Sequence, residues 1–225
     1  MNTRQNLQNP KNWPQNVEYV RDLQFLNSKI TENLSLNSQK LQYPQADMAT
    51  MERLSSSTFY ATGGSSASGA GKNLQKLSSR SNPLVTIKIE SLEKYPSHPA
   101  YPYSGLFATK DLKPGQLITP YYGRATSAED TDPKSDYCLR LGELTVDANI
   151  IGNEGRFVND YRGIMQKPNA EFREFINIDH NRVEMGIFVI KAKDMPRGIR
   201  KKTEITVSYG KAFWKSRNLL RETSS

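Results

Sequence analysis

Two segments of the chain concentrate the residue types that could do chemistry. The first, Gly152–Asp160, combines glycine, amide and charged side chains around the apolar pair Phe157-Val158. The second, Glu204–Gly210, is an alternating run that ends in Tyr209 and a glycine. An amide side chain such as that of Asn159 both donates and accepts hydrogen bonds. Taken singly, however, Asn159 is more often a turn residue and Tyr209 a half-buried strand residue.

Several other chemical signatures are missing from the sequence. It has no phosphate-binding P-loop, no glycine-rich dinucleotide fingerprint and no Gly-x-Ser-x-Gly elbow. The single cysteine, Cys138, excludes an internal disulfide. The only histidines are His98 and His180, and so few ligands, far apart in sequence, make a transition-metal site a poor prediction. His180 lies in the polar stretch Asp179–Asn181, so we expect it to be a solvated loop histidine rather than a catalytic one.

Bulk composition narrows the class of protein. The 225 residues suffice for one domain, or one domain and a tail, and a hydrophobic content of 36% indicates that part of the chain is not packed. The formal charge of +8 suits nucleic acid, chromatin or an anionic surface as a neighbour. Neither a signal peptide nor an apolar membrane span is evident, so we expect a reduced, intracellular protein.

The first 82 residues differ in composition from the rest. They are rich in Asn, Gln and Ser, and such composition buries too little to offset the entropy of ordering, so we predict a largely disordered tail over residues 1–82. Val17, Val20, Leu23 and Leu26 recur at helical spacing and predict a short helix near residues 16–30. That helix would either fray or dock a partner.

From residue 83 onward the pattern changes to short alternating runs. They predict a mainly β domain over residues 83–214, with short helices and long polar loops, followed by a helical extension over 215–225. The predicted strands are 84–89, 106–108, 117–123, 144–148, 185–190 and 204–209.

The order of four short motifs carries a resemblance to a known family. The motifs are Gly105–Ala108 with Leu112–Ile118, Tyr121–Gly123, Asp147–Asn159, and Glu204–Gly210 with Phe213-Trp214. In this order they are similar to the SET domain of protein-lysine methyltransferases, over about residues 85–214. The resemblance implies a fold of small sheets around a pseudoknot. In that fold the closing segment, here Glu204–Gly210, lies near the central signature, here Asp147–Asn159. The resemblance also implies S-adenosylmethionine as the cofactor and methyl donor.

The resemblance further implies a role for individual residues. Tyr209 and Tyr137 would be catalytic. The donor would be bound by Ser104, Gly105, Leu106, Phe107, Tyr137, Arg156, Asn159, Asp160, Tyr209 and Trp214. The substrate channel would be lined by Tyr121, Phe172, Val207 and Trp214. Phe172 and Val207 occupy the positions that limit the methylation state, and because neither carries a hydroxyl, we expect the channel to tolerate more than one methyl group.

The sequence also departs from the family pattern. Tyr103 replaces a usual glycine, Pro120 a glutamate, Asp160 a histidine and Ser208 an aspartate. The cysteine-rich zinc modules that flank many such domains are absent, so Trp214 and the last helix would have to close the channel.

Three hypotheses follow. The first is a monomeric lysine methyltransferase acting on a histone tail or another lysine-containing protein, associated with chromatin and more often nuclear than cytoplasmic, without metal or membrane. The second is a SET-fold binding or scaffold module with weak or lost donor binding, which the departures at Tyr103, Asp160 and Ser208 favour. The third is a basic nucleic-acid-binding protein, which ranks last because the basic run Arg197–Lys202 resembles a solvated hairpin turn.

Overall fold

The computed structural model describes residues 8–26, 74–79, 83–193 and 195–216. Within these ranges most of the regular structure consists of short strands, with two 3-10 turns at Pro83–Val85 and Glu154–Phe157 and one short α-helix, α1 (Gly210–Ser216). The strands are β1 (Glu18–Tyr19), β2 (Gln24–Phe25), β3 (Lys76–Leu77), β4 (Ile87–Ser91), β5 (Ser104–Ala108), β6 (Leu117–Pro120), β7 (Arg124–Ser127), β8 (Cys138–Leu141), β9 (Leu144–Asp147), β10 (Ile151–Gly152), β11 (Asn159–Asp160), β12 (Ala170–Asn177), β13 (Arg182–Val189) and β14 (Thr206–Val207). The predicted mainly β fold of small sheets is confirmed.

Five small sheets share one hydrophobic core. Two have four strands, in the orders β3-β12-β13-β6 and β2-β7-β9-β8. The pairs β4-β5, β1-β10 and β11-β14 complete the set, and the last two pairs are parallel. Fully buried side chains from several sheets, including Ile87, Leu106, Val146 and Ile187, belong to this core. No helix among the described residues is long and apolar enough to cross a membrane.

The closing segment lies directly against the central signature, as the family resemblance implies. Strand β11 pairs in parallel with β14, with Asn159 opposite Thr206. Buried Asn169 reinforces this contact, because its side-chain amide donates to the Glu204 carbonyl at 2.7 Å and accepts from the Thr206 backbone N–H at 2.9 Å. The two signatures, about fifty residues apart in sequence, are therefore fixed in one place.

The predicted helix near residues 16–30 is wrong over its described part. Residues 18–19 and 24–25 form strands β1 and β2, which pair with the edges of β10 and β7. Val17, Val20 and Leu23 are buried, as their spacing suggested, but Leu26 is 52% exposed. Sheet edges offer unpaired backbone groups that the segment satisfies better in an extended form. Residues 27–30 lie outside the described residues.

Part of the predicted tail belongs to the folded body. Trp13 and Tyr19 enter the core beside Phe157. The centroid of the Trp13 ring lies 4.9 Å from that of Tyr19 and 5.4 Å from that of Phe157. The Tyr19 hydroxyl donates to buried Glu154, and burial raises the pKa of that carboxyl. Strand β3 extends the sheet of β12. The predicted boundary at residue 83 thus separates segments that share sheets, while residues 1–7, 27–73 and 80–82 lie outside the described residues.

Strands β4 and β12 differ from the sequence prediction. Residues 83–85 form a 3-10 turn, so the first predicted strand starts late, at Ile87. The eight-residue strand β12 was not predicted, because its phenylalanines alternate irregularly with the charged residues 171, 173 and 174. The predicted C-terminal helix begins earlier than expected, as α1, and residues 217–225 lie outside the described residues.

Candidate active site

The hydroxyl and the backbone N–H of Tyr209 are bonded to the two residues that flank Asn159. Its hydroxyl donates to the Val158 carbonyl at 2.7 Å, and its backbone N–H donates to Asp160 Oδ2 at 2.8 Å. Its ring contacts Phe213 edge-on at 4.8 Å and stacks near Trp214 at 6.5 Å. Burial first, and then the charge of Asp160, raise the pKa of Tyr209 well above its ordinary value. The hydroxyl therefore stays protonated and fixed in orientation.

Asn159 has a fixed amide orientation. Its Nδ2 donates to the Ser104 carbonyl at 3.2 Å and to Glu204 Oε1 at 2.9 Å, which uses both amide protons. Its Oδ1 is the group left to accept a hydrogen bond. Gly105 is required beside this pair, because a Cβ there would lie 2.7 Å from Glu204 Oε1 and 3.2 Å from Asn159 Nδ2. The structure thus brings together the predicted residues Ser104, Gly105 and Asn159.

Asp160 connects strand β11 to the C-terminal helix. The Trp214 indole Nε1–H donates to its Oδ2 at 3.2 Å. The Arg162 guanidinium donates to the same carboxylate at 2.8 and 3.0 Å, and the Arg162 backbone N–H donates at 2.9 Å. The guanidinium carbon also lies 5.7 Å from the Trp214 ring centroid. A buried carboxylate can accept all of these bonds, whereas the imidazole usual in the family could not.

Tyr137, Tyr121 and Arg156 form a second group. The guanidinium carbon of Arg156 lies 4.3 Å from the Tyr137 ring centroid, and its Nε donates to the Ala148 carbonyl at 2.9 Å. The buried Tyr121 hydroxyl donates to the Tyr137 carbonyl at 2.8 Å. Burial, and then proximity to Tyr209, raise the pKa of Tyr121. Tyr137 therefore contacts both Tyr121 and Arg156.

Comparison with known protein families identifies part of the chain. Residues 104–210 match the model of the SET domain. This segment is a SET domain. The matched region begins with β5 and ends at the first residue of α1, so it contains nearly all of the site described above. A comparison with curated proteins gave no match.

Similar solved structures cover only part of longer chains. One is KRYPTONITE in complex with mCHH DNA, an H3(1-15) peptide and SAH, at 20% identity and a TM-score of 0.39. The match covers 50% of this chain and 22% of the KRYPTONITE chain. Another is the Chaetomium thermophilum polycomb repressive complex 2, at 22% identity and a TM-score of 0.40. It covers 55% of this chain and 15% of its own.

The remaining predicted residues of the SET domain have different environments. Leu106 is fully buried and its carbonyl accepts the Ile205 N–H at 2.8 Å, so this carbonyl is already bonded. Phe107 is half-buried and lines a cavity of about 390 Å³. Val207 is fully buried within β14, and the Phe172 ring packs edge-on against Tyr121 at 5.7 Å. The lining of a substrate channel by these residues stays a prediction.

Sequence reasoning missed Glu204 and His98 as site residues. Glu204 is buried beside Asn159, and His98 Nε2 lies 2.9 Å from its Oε2. Glu204 opens the closing signature, so its position there was a usable signal. His98 belongs to the loop between β4 and β5 and carries no motif, so nothing in the sequence connected it with Glu204.

His180 is not the solvated loop residue that we predicted. It is half-buried, and its Nδ1 lies 2.9 Å from Glu184 Oε1 and 3.5 Å from Asp22 Oδ1. These three residues could together offer ligands to a cation. In this structure the Arg182 guanidinium bonds both carboxylates and supplies the positive charge there. His180 therefore lies in the turn before β13 and takes part in a partly buried ion-pair network.

Proposed function

We propose that this SET domain is an S-adenosylmethionine-dependent protein-lysine N-methyltransferase. The observation that carries the proposal is that three consecutive residues, Val158–Asp160, bond in turn the Tyr209 hydroxyl, the Glu204 carboxylate and the Trp214 indole. In-line transfer requires aligned reactants in a site that excludes water. Groups fixed by neighbouring backbone and carboxylate bonds meet the first requirement, because little reorganisation is needed.

The amino-acid end of the donor would bind at Asn159 and β5. When bound, S-adenosylmethionine supplies an electrophilic methyl group on a positively charged sulfur. The free Oδ1 of Asn159 suits the donor's ammonium group, and the Glu204 carboxylate adds negative charge beside it. Gly105, which has no Cβ, leaves room beside β5 for the Glu204 carboxylate and the Asn159 amide. These features fit the donor's charge pattern.

Tyr209 would orient the reacting centre. Because its proton is directed to the Val158 carbonyl, the lone pairs of its oxygen remain to stabilise a nearby cation. The aromatic surroundings of Phe213 and Trp214 desolvate the site and so favour the neutral form of an incoming lysine amine. The tyrosine thus acts by positioning and electrostatics.

The substrate would be a lysine of a histone or of another protein. The chain's charge of +8 is compatible with association with chromatin and with a nuclear location. These finer assignments rest on the family and on charge.

One observation favours a second candidate, a scaffold module that binds the donor weakly. The Trp214 ring, which would cover the donor or the lysine stem, donates to Asp160 and lies beside the Arg162 guanidinium. If these contacts persist in the presence of donor, the ring is not available to a ligand.

A transfer assay separates the two candidates. The protein is incubated with S-adenosylmethionine labelled in its methyl group, with core histones and with cell-extract proteins as acceptors. We expect transfer by the wild type and a loss of at least about tenfold in Tyr209→Phe, because a positioned hydroxyl is removed. Tyr101→Phe, which removes an exposed hydroxyl, should match the wild type. No transfer to either pool, together with weak or absent donor binding, would instead support the scaffold module.

A further inference from the structure

His98 is held as a single neutral tautomer by its two neighbours. The Ala100 backbone N–H donates to its Nδ1 at 3.1 Å, so this nitrogen is an acceptor. Its Nε2 must then carry the proton, and Nε2 lies 2.9 Å from Glu204 Oε2. The imidazole therefore donates to Glu204 from a fixed direction. Its side chain is 14% exposed, so water competes little for this bond.

Glu204 divides its two oxygens between His98 and Asn159. Its Oε2 accepts from His98, while its Oε1 accepts from Asn159 Nδ2 at 2.9 Å. With its side chain 6% exposed, a carboxylate held at both oxygens cannot rotate without leaving a buried lone pair unpaired. The orientation of the Asn159 amide therefore depends on both partners of Glu204.

We propose that His98 is a positioning residue for donor binding, which acts through Glu204 to keep the Asn159 amide oxygen facing the donor. This inference rests on the proposed function. It assigns a role to the loop at residues 92–103, which joins β4 to β5 and lies outside the matched SET region. The loop packs closely on the segment after β11, because a Cβ added to Gly163 would lie 2.6 Å from Pro99 Cγ.

Removing the imidazole should release this arrangement. Without its donor, the Glu204 carboxylate can turn toward water in the adjoining cavity of about 390 Å³, which His98 and Glu204 both line. Asn159 Nδ2 then keeps only the longer bond of 3.2 Å to the Ser104 carbonyl, and its amide can flip to present N–H groups to the donor's ammonium. Binding of the donor would weaken, whereas the geometry around Tyr209 would remain.

The test separates KM from kcat. For His98→Ala we expect the KM for S-adenosylmethionine to rise about tenfold, with kcat changed by less than about threefold, because one hydrogen bond to a charged group is lost. His98→Gln should recover most of the KM, because its side-chain amide can donate to Glu204. Lys94→Ala, an exposed change in the same loop, should match the wild type. Calorimetry with S-adenosylmethionine gives the corresponding Kd values.

Other outcomes would overturn the inference. An unchanged KM in His98→Ala, or a His98→Gln variant no better than His98→Ala, contradicts it. If His98→Ala does not fold, His98→Phe takes its place as a variant that fills the same space without a donor. A wild-type protein that does not bind S-adenosylmethionine contradicts the proposed function, and this inference falls with it.

Discussion

The Asp160 carboxylate accepts the indole N–H of Trp214 at 3.2 Å and so ties strand β11 to the C-terminal helix. Asp160 stands where the family usually has histidine. The same carboxylate accepts hydrogen bonds from the Tyr209 backbone N–H and from Arg162. The aspartate that replaces histidine is therefore fully hydrogen-bonded within the fold. We infer that Asp160 anchors the C-terminal helix to strand β11.

Replacing Asp160 should therefore destabilise the domain. Asp160→Ala leaves the Tyr209 N–H, the Trp214 Nε1–H and the Arg162 guanidinium without a shared acceptor. We expect a loss of about 3 kcal/mol in the free energy of unfolding, measured with urea. Glu129→Ala, which removes an exposed acidic side chain, should change it by less than about 0.5 kcal/mol. Equal effects of the two variants would refute the anchoring role of Asp160.

A methyl group at Gly105 should weaken donor binding. In Gly105→Ala the new Cβ would meet Glu204 Oε1 at 2.7 Å and displace the bond to Asn159. We expect the Kd for S-adenosylmethionine to rise at least about tenfold in calorimetry. Gly142→Ala is the control: it has positive φ but open space around it, so it should cost some stability without changing the Kd. A Gly105→Ala protein with wild-type affinity would show that the donor does not bind here.

The N-terminal strands can be distinguished from the helix that the spacing suggested. A helix would place Leu23 and Leu26 on one face, whereas in the structure Leu23 is 3% exposed and Leu26 is 52% exposed. We expect Leu23→Ala to lower the free energy of unfolding by about 2–4 kcal/mol and Leu26→Ala by less than about 1 kcal/mol. Chemical denaturation measures both. Similar losses would contradict the strand arrangement.

The single thiol should be unreactive in the folded protein. Burial raises the pKa of Cys138 to about 11, and the thiolate is the form that reacts. At a pH near 8, we therefore expect iodoacetamide to modify the native protein far more slowly than the urea-unfolded protein. Mass spectrometry of timed samples follows the reaction. Equal rates in the two states would show that Cys138 is exposed in the native fold.

The site should accept more than one methyl group. Neither Phe172 nor Val207 carries a hydroxyl that could bind a water molecule or restrain the amine, and the Phe172 ring lies against Tyr121. With excess donor we expect dimethylated or trimethylated lysine in the products by mass spectrometry, and a shift toward monomethylation in Phe172→Tyr. Products that stop at monomethyl-lysine in the wild type would contradict this expectation.

Local sequence patterns predicted some of the strands but not the contacts between residues that are distant in sequence. Strands β9 and β13 follow from their runs of apolar and β-branched residues, and the family resemblance implied that the central motif around Asn159 lies near the closing segment. The bond between His98 and Glu204 joins residues 106 positions apart and leaves no periodic trace. Strand β1 has only two residues, too few for a periodic signal, and its partner β10 lies over a hundred residues away. Such pairings are decided by the fold as a whole.

The most direct test of the methyltransferase assignment identifies the residue that receives the methyl group. The protein is incubated with S-adenosylmethionine carrying a deuterated methyl group and with core histones or extract proteins, and tandem mass spectrometry locates the label. We expect deuterated methyl groups on lysine Nζ atoms with the wild type and a sharp loss of them with Tyr209→Phe. Unlabelled lysines with the wild type, or equal labelling with Tyr209→Phe, would contradict the assignment.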